Sequence, residues 1–274
     1  MGSLKLYGVP LSQPFRSVAW ALLQKRVPFQ VAMAVPGMTG KVGARSPDFL
    51  ARVNPLGAIP AIEEEESGFV VFESPAILTY LAETRGDAFT DMYPSPGDPQ
   101  ARATINAFMS WHHGGTRQLA RLVQPFLRPD LGEVDEAVFA ARVNDARAVL
   151  ATLSSAWLRD GRAAPFIGGS ATPTFADLLA YEEVYQLPAL GLLAVDDEYP
   201  VLAEWCARMA RLPGHAAAHA ALDALGDLRG GAANAEGGGA APLPMGKRLG
   251  LATKAGMKAL AEAQERDQRA EEGA

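Results

Sequence analysis

With one cysteine, Cys206, among 274 residues, no disulfide can form within the chain, and a reducing compartment suits it. No long apolar run marks a membrane-spanning helix, so no membrane association is expected. Basic residues are not in excess: 31 acidic side chains against 25 lysines and arginines leave a formal net charge of −6, which argues against nucleic acid as a partner. There is no glycine-rich phosphate loop and no convincing metal-ligand spacing, so no metal is expected. No secretory leader precedes the first strand-like stretch, and Glu271 to Ala274 match no C-terminal address signal. The expected location is the cytoplasm.

What is present is an ordinary globular composition, 49% apolar and 20% charged, in a chain long enough for two domains and a tail. The first part alternates strand and helix signals. Leu4 to Val9 is a short apolar run, after which Phe15, Val18, Ala19, Leu22 and Leu23 form the stripe of an amphipathic helix over Ser12 to Lys25. Val27 to Val35 reads as a strand and Ser46 to Val53 as a short helix. Ala58 to Glu63 and Phe69 to Glu73 read as a hairpin, and a last helix runs from Ser74-Pro75 to about Arg85.

The proline-rich stretch Tyr93 to Pro99 marks a boundary, beyond which strand signals stop. Helices are expected over Gln100 to Leu127, Val134 to Arg159, Thr174 to Gln186, Tyr199 to Arg211 and His215 to Leu228, with a kink at Gly114-Gly115 and a loop at Gly168-Gly169. The division is 1–86, a linker 87–98, a helical part 99–228, and 229–274. Gly230 to Pro244 reads as a flexible linker. In the last segment Lys247, Arg248, Lys254 and Lys258 precede the acidic residues, an order that opposes the helix dipole. That tail is expected to be mostly disordered or marginally helical.

Three short motifs carry the chemistry. Ser12-Gln13-Pro14 opens a helix; its hydroxyl either caps that helix or, beside free N–H groups and the positive dipole end, steadies an anion such as a thiolate. A free thiol with pKa about 8.5 is only a few per cent ionised at neutral pH. Lowering that pKa by two units takes about 2.7 kcal/mol, within reach of a charge-assisted hydrogen bond plus a helix terminus. Ile59-Pro60 follows Asn54-Pro55-Leu56-Gly57 and precedes a strand; a cis bond there would present the Ile59 backbone to a peptide ligand as an added strand. Glu73-Ser74-Pro75 reads as a capped helix start. The same residues offer a carboxylate for an ammonium and a helix N-terminus for a carboxylate, as an amino-acid headgroup requires.

Taken in order, Leu-Tyr-Gly-Val-Pro-Leu-Ser-Gln-Pro-Phe-Arg-Ser-Val, Asn-Pro-Leu-Gly-Ala-Ile-Pro-Ala-Ile and Phe-Glu-Ser-Pro-Ala-Ile-Leu-Thr-Tyr-Leu resemble a cytosolic glutathione S-transferase. Ser-Gln-Pro, Tyr93-Pro94 and Trp111-His112-His113 are most similar to the theta class, the plant type in particular, and Thr174-Phe175-Ala176-Asp177 matches the buried capping box of the family's helical domain. The resemblance spans roughly residues 4 to 228. It implies an α/β thioredoxin-like N-terminal domain, an all-α C-terminal domain holding an electrophile site, and a homodimer. It also implies glutathione as co-substrate, with no other cofactor, and small hydrophobic electrophiles or organic hydroperoxides as partners. By the same resemblance Ser12 holds the thiolate and Gln13 neighbours it. Ala58, Ile59 and Pro60 line the cysteinyl part, Glu73 and Ser74 take the γ-glutamyl end, and Arg117 points at the site from the helical domain. The polar residue that contacts the glycine carboxylate falls near Ala44, so Arg45 or Lys41 is expected to substitute. A non-catalytic module of the same fold, a ligand carrier or assembly domain, is the alternative.

Other signals are read as structural. Tyr7 is the rival thiol activator, but as a strand aromatic its hydroxyl is expected to be satisfied locally. His215 and His219 read as a surface pair, and His112 and His113 as packing and interface residues. Glu63 to Glu66 reads as a solvated acidic turn, and Cys206 as non-catalytic.

Overall fold

Alternation along the first strand sorts the N-terminal half into two layers. In the computed structural model, which describes residues 3–128, 135–159, 164–195, 198–229 and 243–272, β1 (Leu4–Gly8) turns Leu4 and Leu6 into the main core. Tyr7 faces the other way, against a small cluster of Ala34, Ala44, Phe49, Val53 and Ala61. The chain continues as α1 (Gln13–Gln24), β2 (Phe29–Met33), α2 (Pro47–Arg52), β3 (Ala61–Glu64), β4 (Phe69–Phe72) and α3 (Ser74–Thr84). The sheet order is β2-β1-β3-β4, with β2 parallel to β1 through the α1 crossover and β3 and β4 antiparallel. This is the thioredoxin-like order expected from the sequence.

The rest is helical: α4 (Pro99–His112), a 3-10 turn (Thr116–Leu119), α5 (Ala120–Leu127), α6 (Glu136–Thr152), α7 (Phe175–Ala189), α8 (Pro200–Met209), α9 (His215–Leu225) and α10 (Met245–Glu272). The helix expected over Gln100 to Leu127 is broken, not merely kinked. Gly115 lies against Trp111 so closely that a Cβ there would come within 2.4 Å of the indole, and the helix restarts beyond it. At the start of α7 the fully buried Asp177 carboxylate accepts four hydrogen bonds, from Thr174 N–H at 2.8 Å, Thr174 Oγ1 at 3.0 Å, Ile167 N–H at 2.9 Å and Trp205 Nε1 at 2.9 Å.

One apolar cluster runs without a break from β1 and α1 through α7 and α9, with Phe15, Trp20, Tyr181 and Trp205 fully buried in it. The two parts therefore share a core, and α1 lies at the seam. Trp20 fixes that seam further by donating its indole N–H to the Pro213 carbonyl at 2.8 Å.

The expectation of a disordered or marginal tail gives way, over Met245–Glu272, to a 28-residue helix; residues 230–242 of the expected linker lie outside the described residues. The unfavourable dipole order is real, but tertiary contacts outweigh it. Ala252, Gly256, Leu260 and Ala263 form a buried stripe at helical spacing. Gly256 sits against Pro10 and Ala221, where a Cβ would approach each side chain to 2.7 Å. Arg248 donates to the Leu225 carbonyl at 2.7 Å at the end of α9, and Gln264 accepts the Phe29 N–H at 2.9 Å at the start of β2. Each contact makes α10 part of the body of the molecule.

Candidate functional site

The strand register gathers the three motifs. Tyr7 of β1 pairs with Ala61 of β3, and Ala61 pairs with Phe72 of β4. The residues that follow β1, precede β3 and follow β4 therefore emerge at one end of the sheet, and these are Ser12, Ile59-Pro60 and Glu73-Ser74. With strands about 4.8 Å apart, the end of β4 lies roughly 10 Å from that of β1, about the span of an extended tripeptide.

Ser12 closes a turn, its N–H donating to the Val9 carbonyl at 3.0 Å, and it is the N-cap of α1 with extended backbone, φ −82° and ψ 125°. Its hydroxyl, half-buried, makes no cap hydrogen bond among the described residues. A serine in the position to cap leaves its donor unused. The N-terminus of α1, with Pro14 early in the helix, supplies the positive end of the dipole at that point.

Across the gap, the Ile59-Pro60 peptide bond is cis. Asn54 braces the approach to it: Nδ2 donates to the Ala58 carbonyl at 2.9 Å, Oδ1 accepts the Leu56 N–H at 3.0 Å, and Gly57 adopts φ 64°. The backbone N–H and C=O of Ile59 take no backbone partner among the described residues, so both are open to a ligand. Ala58 is exposed and Pro60 buried. Ala44 is fully buried in the cluster under α2, while the exposed Arg45 lays its stem against Gly57, where a Cβ would lie 3.1 Å from Arg45 Cγ.

The helix start at Glu73-Ser74 departs from the expectation. Ser74 is not the cap; it is the first residue of α3, and the exposed Glu73 is the N-cap with φ 71°. A left-handed conformation is uncommon for a non-glycine residue and costs on the order of 1 kcal/mol. No side-chain cap bond offsets it. Glu73 thus stands between the end of β4 and the first N–H groups of α3.

Arg117 does not lie on a solvated helix face. It belongs to the 3-10 turn before α5, where Nη1 bonds the buried Glu183 at 2.7 Å and Gln13 Oε1 at 3.4 Å. Gln13 Nε2 in turn donates to Gln186 Oε1, and Gln186 Nε2 donates to Glu183 Oε2 at 3.1 Å. Burial raises the Glu183 carboxyl above its ordinary value, with the Arg117 guanidinium opposing part of that rise. The residue next to Ser12 is thus held by a polar network from the helical part. Glu183 and Gln186 were missed from the sequence; their signal is acidic and amide residues within the otherwise apolar run Phe175 to Leu187.

A family model for the glutathione S-transferase N-terminal domain matches residues 6–89. Glutathione S-transferase theta-1 of Mus musculus is 32% identical over 210 residues, covering 75% of this chain and 82% of that one. The chain belongs to the glutathione S-transferases. Glutathione S-transferase T2 of Arabidopsis thaliana is also 32% identical, over 190 residues; it is a longer protein, of which this chain, covered to 68%, spans 30%. Human glutathione transferase theta-2, solved in complex with glutathione and an unknown ligand, superposes with a TM-score of 0.70 at 26% identity, covering 92% of this chain and 98% of that one. These relatives place the transferase in the theta class.

Within this transferase the rival residues are accounted for. Tyr7 donates its hydroxyl to Glu63 Oε2 at 2.5 Å, and burial together with that carboxylate raises its pKa, so it is a poor partner for a thiolate. Glu63 and Glu64 are therefore not a solvated turn: both lie on β3, and Glu64 is buried against Arg85 at 2.6 Å. Burial pushes the Cys206 thiol up to about 12, which favours its protonated form at neutral pH. His215 and His219 are not a surface pair either. Their rings stack at 4.1 Å inside the seam; His215 Nε2 lies 2.8 Å from the Tyr181 hydroxyl and His219 Nε2 lies 3.1 Å from Glu182 Oε1. Among the described residues no group of three or more His, Cys, Asp or Glu could hold a metal ion, and no helix is long and apolar enough to cross a membrane.

Proposed function

We propose that this transferase attaches the thiolate of glutathione to hydrophobic electrophiles. The observation that carries the reading is the unengaged Ser12 hydroxyl at the N-terminus of α1, at the same sheet end as the open Ile59 backbone and the start of α3. The tripeptide lies across that end. Its cysteinyl backbone pairs with Ile59, flanked by Ala58 and Pro60, and its γ-glutamyl ammonium meets Glu73 while the carboxylate takes the N–H groups and hydroxyl of Ser74. Its glycine carboxylate meets Arg45, the exposed cation whose stem lies against Gly57.

Ser12 donates a hydrogen bond to the sulfur and keeps its own proton; the nucleophile is the ligand's sulfur. That bond and the helix terminus stabilise the thiolate over the thiol, so more of it is ionised at neutral pH. The electrophile is held in the apolar helical part, and attack gains from proximity. The bond formed is sulfur to carbon, and the leaving group departs with the electron pair. With an organic hydroperoxide the same thiolate attacks the peroxide oxygen, releasing the alcohol; a second glutathione then resolves the sulfenic acid as glutathione disulfide and water. We assign the protein to the cytoplasm, as a homodimer in detoxification.

The test measures conjugation of a halogenated aromatic and reduction of an organic hydroperoxide with wild type, Ser12→Ala and Tyr7→Phe, with the bound thiolate followed by ultraviolet absorbance against pH. Loss of the thiolate in Ser12→Ala alone supports the assignment. Loss in Tyr7→Phe alone overturns it, and glutathione binding without any turnover favours the non-catalytic module.

A further inference from the structure

Arg16 lies one turn into the helix that Ser12 begins and is fully buried, where an unpaired guanidinium would be severely unfavourable. Its donors face two parts of the molecule. Nη1 donates to the Leu11 carbonyl at 2.9 Å and the Pro10 carbonyl at 3.3 Å, the two carbonyls of the turn directly ahead of Ser12. No backbone N–H takes either carbonyl among the described residues. On the other side Nε meets Glu182 Oε2 at 2.5 Å, and Nη2 donates to the Glu182 carbonyl at 3.2 Å, both on α7.

Glu182 is buried as completely, and its second oxygen lies 3.1 Å from His219 Nε2 on α9, close enough to pair electrostatically though off the line of a good hydrogen bond. His219 Nδ1 lies 2.7 Å from the His215 carbonyl, which fixes the ring. One planar cation therefore joins the Ser12 turn to α7, and α9 steadies the far side of the carboxylate. From outside, Gly256 of α10 closes on Pro10 and leaves the turn no room to retreat. The guanidinium that pairs with Glu182 thus also takes up both carbonyls of the turn that ends at Ser12. A lysine, a point charge without a fork, cannot hold the carboxylate and both carbonyls together.

We propose that Arg16, anchored by Glu182 and His219, is a positioning residue that sets the Ser12 hydroxyl against the glutathione sulfur, so that the helical part governs thiol activation. This rests on the reading of Ser12 given above. The test follows bound-thiolate absorbance against pH in wild type, Arg16→Lys and Glu182→Gln, with thermal melting and the split between kcat and KM for glutathione. Arg16→Lys is expected to raise the apparent pKa of the bound thiol by about one unit and to lower kcat near neutral pH about tenfold, with KM within about twofold. Glu182→Gln keeps an oxygen for Arg16 and is expected to move the pKa less, in the same direction; it decides the matter if Arg16→Lys does not fold. A folded variant that melts lower but titrates its bound thiol as wild type does overturns the proposal. So does failure of both to fold, which makes the pair structural only. A wild type without bound thiolate overturns the Ser12 reading itself; a wild type with thiolate and unshifted variants overturns only the role of Arg16.

Discussion

Two helix N-termini in this protein begin alike and end differently. At α7, Thr174 and Asp177 engage each other completely, and the carboxylate also takes N–H groups from Ile167 and Trp205. At α1, Ser12 occupies the same capping position, and among the described residues its hydroxyl makes no cap hydrogen bond. One terminus is closed and buried; the other is open at the end of the sheet. A polar group satisfied inside the protein holds the fold, whereas one left unsatisfied at a surface end is available to a ligand.

The largest effect that sharpens this contrast is expected from Asp177→Ala. Four buried donors lose their acceptor, and stability should fall by about 3–5 kcal/mol, measured by denaturant unfolding. Next, Ser12→Ala should lower kcat/KM by about thirty- to a hundredfold, some 2–3 kcal/mol of transition-state stabilisation, while the melting temperature stays close to that of wild type. A Ser12 variant that instead melts early would make α1's terminus a cap like α7's and break the comparison.

His112 tests the same idea with a proton. It is buried beside Thr116, its Nδ1 lying 2.6 Å from the hydroxyl, and burial holds its pKa down to about 3, with Arg117 and His113 adding to the shift. Above about pH 6.5 both folded and unfolded forms are neutral. Below it the unfolded chain takes a proton that the fold refuses, so this residue's contribution to stability is lost as pH falls from 6.5 toward 3, at about 1.4 kcal/mol per pH unit. His112→Asn should flatten that slope in melting curves taken across this range.

Smaller still, Glu73→Gly should relieve a left-handed φ and stabilise the fold by up to about 1 kcal/mol while raising KM for glutathione, as the proposed pairing of Glu73 with the γ-glutamyl ammonium requires. Tyr7→Phe should change turnover by less than about twofold, since the hydroxyl already serves Glu63. A Glu73→Gly variant that binds glutathione unchanged would remove one wall of the proposed site.

Much of this was legible before any coordinates. Period and punctuation marked β1 through α3, because a four-stranded unit with one crossover helix and one hairpin is encoded locally by apolar spacing and by Ser-Pro and Asn-Pro starts. The motifs around Ser12, Ile59 and Glu73 were visible for the same reason. Where the reading erred, the deciding contacts were distant in sequence. The histidine pair is buried because Trp20, nearly two hundred residues away, packs against both rings, at 5.5 and 5.1 Å.

The sequence by itself determined the order of elements from β1 to α3 and the family. Only the tertiary structure decided which polar side chains are engaged and which remain free. It also decided that α10 is ordered, against its own dipole, by Gly256 on Pro10 and Arg248 on the end of α9. Local sequence specifies torsions and periods; whether a hydroxyl is used or a marginal helix persists depends on partners brought close only when the chain has folded.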